Sequence, residues 1–178
     1  MKKTVTVLGA MVFSASALAA APASYDTKFN VSANVPDSAM ITDAGGRPIS
    51  DINVEMVAAA SGRMEATVPA LKLWNNDPQK LEVTLTLHDG NVSDNQPFNL
   101  FSTQGDVLNS MTYEIHAITS GAPKKFATSG SNNDFTLLST GSHGELPVVF
   151  RFVSNEEYKD LGQGHYSGTV YANLSAKL

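Results

Sequence analysis

Apolar and polar residues alternate one by one through most of this chain, and a two-residue period is the mark of strands with one buried face. Leu81, Val83, Leu85 and Leu87 alternate with Glu82, Thr84, Thr86 and His88. Met111, Tyr113, Ile115 and Ala117 alternate with Thr112, Glu114 and His116, until Ile118 breaks onto the polar side. Leu146, Val148, Phe150 and Phe152 form another such face, and 52–57, 64–73 and 134–139 are further strand candidates. Turn-forming clusters separate them: Asp43-Ala44-Gly45-Gly46, Asp89-Gly90-Asn91 and the Gly/Ser/Asn stretch 129–133. Helical signals are scarce. Ser154-x-x-Glu157 reads as a capping box that opens one or two turns ending at Gly162. A length of 178 residues, with no internal repeat and no linker, supports one domain. Many short alternating strands between turns predict an all-β sandwich or barrel.

Composition excludes several functions. There is no cysteine, so no disulfide scaffold and no thiolate metal site can form. The net charge of −5 argues against a nucleic-acid binder. No Gly-x-Ser-x-Gly elbow, His-Glu-x-x-His or phosphate-binding loop occurs, so the chain is expected not to be an enzyme and to need no cofactor. Glu114 and His116 share a strand face but have no third ligand beside them, which reads as a solvated face rather than a metal site. Asp89-Gly-Asn-Val-Ser-Asp94 has the look of a calcium loop. It lacks glycine at loop position six and an acid at twelve, where Leu100 stands, and so reads as a hairpin turn. Trp74 reads as a packing residue at a strand end. The Asn-x-Ser sequons at Asn30, Asn91 and Asn173 carry little weight by themselves.

Residues 1–21 have the three parts of a secretory signal. They are the basic start Lys2-Lys3, the apolar run Val5–Phe13, and small residues from Ala15 to Ala21 with Ala17-Leu18-Ala19 fitting the cleavage rule. Cleavage near residues 19–21 leaves ten basic against seventeen acidic residues, a mature charge of −7. Export, combined with the lack of cysteine, means that stability has to come from packing or from a partner.

The two ends of the mature chain carry further information. Phe29, Val31, Ala33 and Val35 are apolar, and Asp26, Lys28, Asn30, Ser32 and Asn34 between them are polar, before Pro36-Asp37 interrupts the run. At the other end Tyr166, Gly168, Val170, Ala172, Leu174, Ala176 and Leu178 share one face as far as the last residue. Each segment could be an ordinary strand of the chain's own sandwich.

Taken together, the ends resemble those of pilins assembled by the chaperone–usher route, of the alpha class (class 5) that includes the colonisation factor antigen I type of fimbrial major subunit. The resemblance lies in Tyr25-Asp-Thr-Lys-Phe-Asn-Val-Ser-Ala-Asn-Val35 and continues through Asp43-Ala-Gly-Gly-Arg-Pro-Ile49. It extends to Asp106-Val-Leu-Asn-Ser110 and to Gly164-His-Tyr-Ser-Gly-Thr-Val170. The lack of cysteine fits that class, whereas Thr119–Gly144 matches it poorly.

The resemblance implies an immunoglobulin-like β-sandwich lacking its final strand, over residues 37–178, with an N-terminal donor strand at 22–36. Phe29, Val31, Ala33 and Val35 would insert into a neighbouring subunit. Tyr166, Gly168, Val170, Ala172 and Leu174 would border the groove that receives a chaperone's or neighbour's strand. The implied function is the structural major subunit of a surface fimbria on a Gram-negative bacterium, supporting adhesion to host surfaces. Its implied partners are identical subunits, a periplasmic chaperone, an outer-membrane usher and a tip adhesin. Tip adhesins of that family are about twice as long. The alternatives are a minor subunit of the same shaft, or a monomeric periplasmic or secreted carbohydrate-binding sandwich.

Overall fold

A computed structural model describes residues 28–32, 39–102 and 110–177. The predicted signal segment, Ala33, Val35 and the motif residues 106–109 lie outside these. The chain divides into two units, Met1–Asn34 and Val35–Leu178. In the first, residues 28–32 form no regular element, and Phe29 and Val31 are 82% and 91% exposed. The predicted strand over 25–35 is thus not a strand where it is described.

The second unit is an all-β sandwich of antiparallel sheets. One sheet runs β1(Ala39–Asp43), β3(Arg63–Asn75), β10(Gly144–Glu157), β6(Ser110–Ile118), β5(Phe98–Ser102), β11(Tyr166–Ser167). Three short strands extend it: β2(Val57–Ala58) on β3, β7(Lys124–Phe126) on β6 and β9(Leu138–Ser139) on β10. The other sheet is β12(Val170–Ala176), β4(Glu82–Asp89), β8(Asn132–Thr136). Alternation sends Val83, Leu85, Leu87 and Phe135 of the smaller sheet inward against Leu71, Leu73, Ile115, Ala117 and Val148 of the larger. Each fully covered aliphatic or aromatic side chain here contributes roughly 1.5–3 kcal/mol. Among the described residues no helix is long and apolar enough to cross a membrane.

Strand β3 changes its inward parity midway. Leu71 and Leu73 are buried, whereas before them Met64 and Val68 point toward the groove side. The switch is a bulge. Val148 pairs with Leu71 and Phe150 with Val68, so Pro69 and Ala70 stand opposite the single residue Val149. Ala70 takes the left-handed conformation (φ 63°) there, which a side chain makes costly and which bends the strand.

Four local expectations give way to tertiary pairing. Residues 52–57 are a strand only at Val57, where β2 begins. Segment 134–139 is two strands, β8 in one sheet and β9 in the other, with buried Leu137 at the crossing. Ser154–Glu157 is no capping box. It ends β10, with the Ser154 hydroxyl accepting from the Met64 amide (2.9 Å) and donating to the Glu156 carbonyl (2.6 Å), and only Tyr158–Asp160 make a 3₁₀ turn. Asp89–Asp94 is no hairpin turn, because β4 and β5 belong to different sheets and the segment crosses between them. Asp89 anchors that crossing by accepting from the amides of Asn91 (2.8 Å) and Asn99 (2.7 Å).

Candidate functional site

The last 13 or so residues, read as one continuous face, are divided by the fold at Gly168. Tyr166 and Ser167 pair with Ser102 and Phe101 on β5, and Val170–Ala176 pair with Asp89–Val83 on β4. Between them the chain passes from one sheet to the other. Gly168 is needed for this passage, since a Cβ there would lie 2.8 Å from Leu100 Cδ2 and 3.0 Å from the Asn99 carbonyl oxygen. The Tyr166 hydroxyl donates to the Gly162 carbonyl (2.7 Å), tying down the approach.

Beyond the crossing, β12 is the outer strand of its sheet and β1 the outer strand of the other. The two approach each other, with Cα atoms within 8 Å, yet no ladder joins them. Ala172, Leu174 and Ala176 stand opposite Leu87, Leu85 and Val83, and so face the core side. Their partners on β4 are buried, whereas Ala172 is exposed and Leu174 and Ala176 are only half-buried. The sandwich is therefore left open along this side.

The opening is a groove of about 1640 Å³. Ala39, Met40 and Ile41 of β1 line one side, and Val170, Ala172 and Leu174 of β12 the other. Tyr113, Phe150 and Phe152 are among its floor residues. Its volume exceeds the roughly 300–1,000 Å³ of small-molecule pockets and suits a length of polypeptide. Tyr166, Gly168, Val170, Ala172 and Leu174 are among the residues that line it. Of the predicted donor residues, Phe29 and Val31 are exposed, and Ala33 and Val35 lie outside the described residues. The residues that sequence reasoning missed are 49–56, which also line the groove. Their alternating Ile52, Val54 and Met56 were the available signal.

The polar groups that invite a catalytic reading sit in ordinary surface networks. The Glu114 carboxylate contacts His116 Nε2 (2.8 Å) and the Lys125 ammonium. Partial burial pushes its pKa up, but the hydrogen bonds from Lys125 and His116 outweigh this and hold it below the ordinary range. Tyr113, beneath the groove, has its hydroxyl pushed well above the usual pKa by burial and by the nearby Asp89 charge, so it stays neutral. Trp74 stacks near His143 with ring centres 5.5 Å apart. No group of three or more His, Cys, Asp or Glu positioned to hold a metal occurs among the described residues.

No family model matches the chain, and no curated protein matches it either. Among solved structures, it is similar to a chain from a chaperone–tip adhesin complex described as vital for synergistic activation of CFA/I fimbriae biogenesis. The TM-score is 0.45 at 13% identity, over 78% of this chain and 42% of the other. This chain thus spans less than half the length of the one it matches.

Proposed function

We propose that this protein is a non-enzymatic structural subunit of a bacterial surface fimbria, exported through the periplasm and polymerised head to tail by strand addition. The observation that carries this reading is the uncovered inner face of β12, on a groove large enough for polypeptide. The same chain has an alternating segment whose Phe29 and Val31 are exposed. Adding a strand to a sheet edge satisfies the free backbone groups of that edge while alternate side chains fill the groove, as in chaperone–pilin pairs. Burying Phe29, Val31 and Val35 of an incoming segment would contribute roughly 1.5–3 kcal/mol each. An empty groove beside a free edge strand is an aggregation hazard, which gives a periplasmic chaperone its task before an usher exchanges it for the next subunit. One chain bearing both donor and acceptor suits the repeating major subunit of a shaft, because a head-to-tail contact that does not close propagates as a filament. A tip adhesin would end that filament.

Val31→Asp tests the reading, because it would place an unpaired carboxylate in a neighbour's apolar groove. The variant is expected to fold and be captured by its chaperone, to accept a wild-type donor, and to fail as a donor itself. Wild-type surface material is expected to resist cold detergent and give a ladder that collapses on boiling. A copy of residues 25–35 joined after Leu178 by a flexible linker should make the subunit monomeric. It should also raise its Tm by more than about 5 °C, the shift that roughly 2 kcal/mol gives a chain of this size. Misfolding of Val31→Asp together with no gain from the appended strand would sink the proposal.

A further inference from the structure

The methionines of this chain are unevenly placed. Of the six, Met1 and Met11 fall in the predicted signal segment, and the other four, Met40, Met56, Met64 and Met111, all line the groove. They reach it from separate parts of the fold: Met40 from β1, Met56 from the residue before β2, Met64 from β3 and Met111 from β6. Met40, Met56 and Met64 are half-buried, whereas Met111 is only 3% exposed. An unbranched, polarizable thioether suits a surface that has to repack around an incoming segment. In a chain without cysteine it is also the side chain most open to oxidation by peroxide. The groove therefore gathers the oxidisable sulfur of the whole described chain, with three methionines open to solvent and one covered.

We propose that Met40, Met56 and Met64 form an oxidation site, at which a peroxide closes the empty groove to strand addition. This rests on the strand-addition reading above and adds regulation to the same site. The thioether sulfur attacks one peroxide oxygen, so that an S–O bond forms as the O–O bond breaks. Sulfur gives up two electrons, the peroxide is reduced, and the departing hydroxide takes the remaining proton to leave as water. The product is a sulfoxide, polar where the thioether was apolar. Val68, Leu71, Leu100, Phe150 and Phe152 line the same groove and offer its oxygen no side-chain donor. Covering the sulfoxide with an incoming apolar segment strips it of water without replacing the lost hydrogen bonds, which weakens docking. A segment already in place covers the thioethers instead and keeps peroxide away. Oxidation thus acts on unfilled subunits and spares filled ones. Met111 is the reference within the same groove, since the fold already covers it.

Hydrogen peroxide added to the full chain carrying Val31→Asp, so that no subunit fills another's groove, tests this. Peptide masses are expected to show sulfoxide at Met40, Met56 and Met64 well before Met111. A peptide of residues 25–35 should then bind about tenfold more weakly, while the strand signal in circular dichroism is kept. Methionine sulfoxide reductases acting on both epimers should restore binding. In the chain with residues 25–35 joined after Leu178, the same three methionines should oxidise about tenfold more slowly. Replacing all three by leucine (Met40→Leu, Met56→Leu and Met64→Leu) nearly conserves volume, and this variant should bind peptide both before and after peroxide. Undiminished binding by the oxidised chain, or oxidation of Met111 as fast as the others, would overturn the inference and leave strand addition standing. So would a loss of binding that the reductases do not reverse, or one that comes with loss of the strand signal. Peptide that binds neither the reduced nor the oxidised chain would overturn both.

Discussion

Strands β4 and β12 lie side by side in one sheet and follow the same apolar–polar alternation, yet their burial differs. Val83, Leu85 and Leu87 on β4 are sealed beneath the larger sheet, whereas Ala172, Leu174 and Ala176 directly beside them are open or half-open. The larger sheet ends at β1, and no ladder joins β1 to β12. Alternation therefore marks a face that is built to be covered, without saying whether its own chain covers it. On β4 the alternation supplies the core. On β12 it supplies a face that the chain itself leaves partly open.

The largest expected effect tests that division directly. Leu85→Ala should cost the subunit about 2–5 kcal/mol, since the lost side chain leaves a cavity that close packing cannot collapse. Leu174→Ala, one strand away in the same register, should cost the empty subunit less than about 1 kcal/mol because solvent already reaches the side chain. In a subunit with an appended donor strand the cost at Leu174 should rise toward that at Leu85. Denaturant midpoints of the four proteins measure this. Equal losses at the two leucines in the empty subunit would erase the difference between the strands.

A smaller effect is expected where the chain passes between sheets. Gly168→Ala forces a Cβ against Leu100 Cδ2 and the Asn99 carbonyl oxygen, at 2.8 and 3.0 Å, and the backbone atom has little room to yield. A cost of about 1–3 kcal/mol is expected, as for overpacking elsewhere. Because the strain falls on the crossing, it should loosen β12 more than β4, visible as faster amide exchange in residues 170–176. Uniform loosening of both strands would place the strain elsewhere.

How much of this was legible in the sequence depends on what each feature needs from distant residues. The central strands β4, β6 and β10 are readable because each keeps its own buried face in alternation over most of its length. The parity change in β3 is not, since it comes from a bulge at Pro69-Ala70 that only the pairing with β10 reveals. The alternation at 52–57 is real but has no ladder partner, so no strand forms before Val57. Ser154 and Glu157 have capping-box spacing, but the serine hydroxyl is already engaged by the Met64 amide and the Glu156 carbonyl. The face from Tyr166 to Leu174 was readable and lies on the groove. Its division between two sheets was not, because the close approach to Leu100 is set by residues far off in sequence.

The smallest expected effect is electrostatic and again separates β12 from β4. Just past the end of β12, Lys177 donates to Asp134 of β8 (2.6 Å), and Thr84 of β4 donates to the same carboxylate (2.6 Å), so one side chain ties all three strands. The hydrogen bonds from Lys177 and Thr84 hold the Asp134 pKa below its ordinary value, and Asp134 in turn raises that of Lys177. For Asp134, whose folded pKa is lowered, the stabilisation is complete above the ordinary aspartate range and is lost as pH falls through the lowered value. For Lys177, whose folded pKa is raised, it is complete below the ordinary lysine range and lost as pH rises through the raised value. Both groups are solvent-exposed, so salt screens the pair and its effect on global stability is small. Its local effect should be readable, because β12 has only one neighbouring strand. Protection at Ser175–Lys177, corrected for the intrinsic pH dependence of exchange, is expected to fall below about pH 4 and above about pH 10, while that of the buried amides of β4 stays unchanged. Asp134→Asn should remove both dependences and leave the strand frayed at neutral pH to the level seen in acid. If the β12 amides of the wild type keep the same protection from pH 3 to pH 11, the carboxylate does not hold the strand, and backbone pairing with β4 alone secures it.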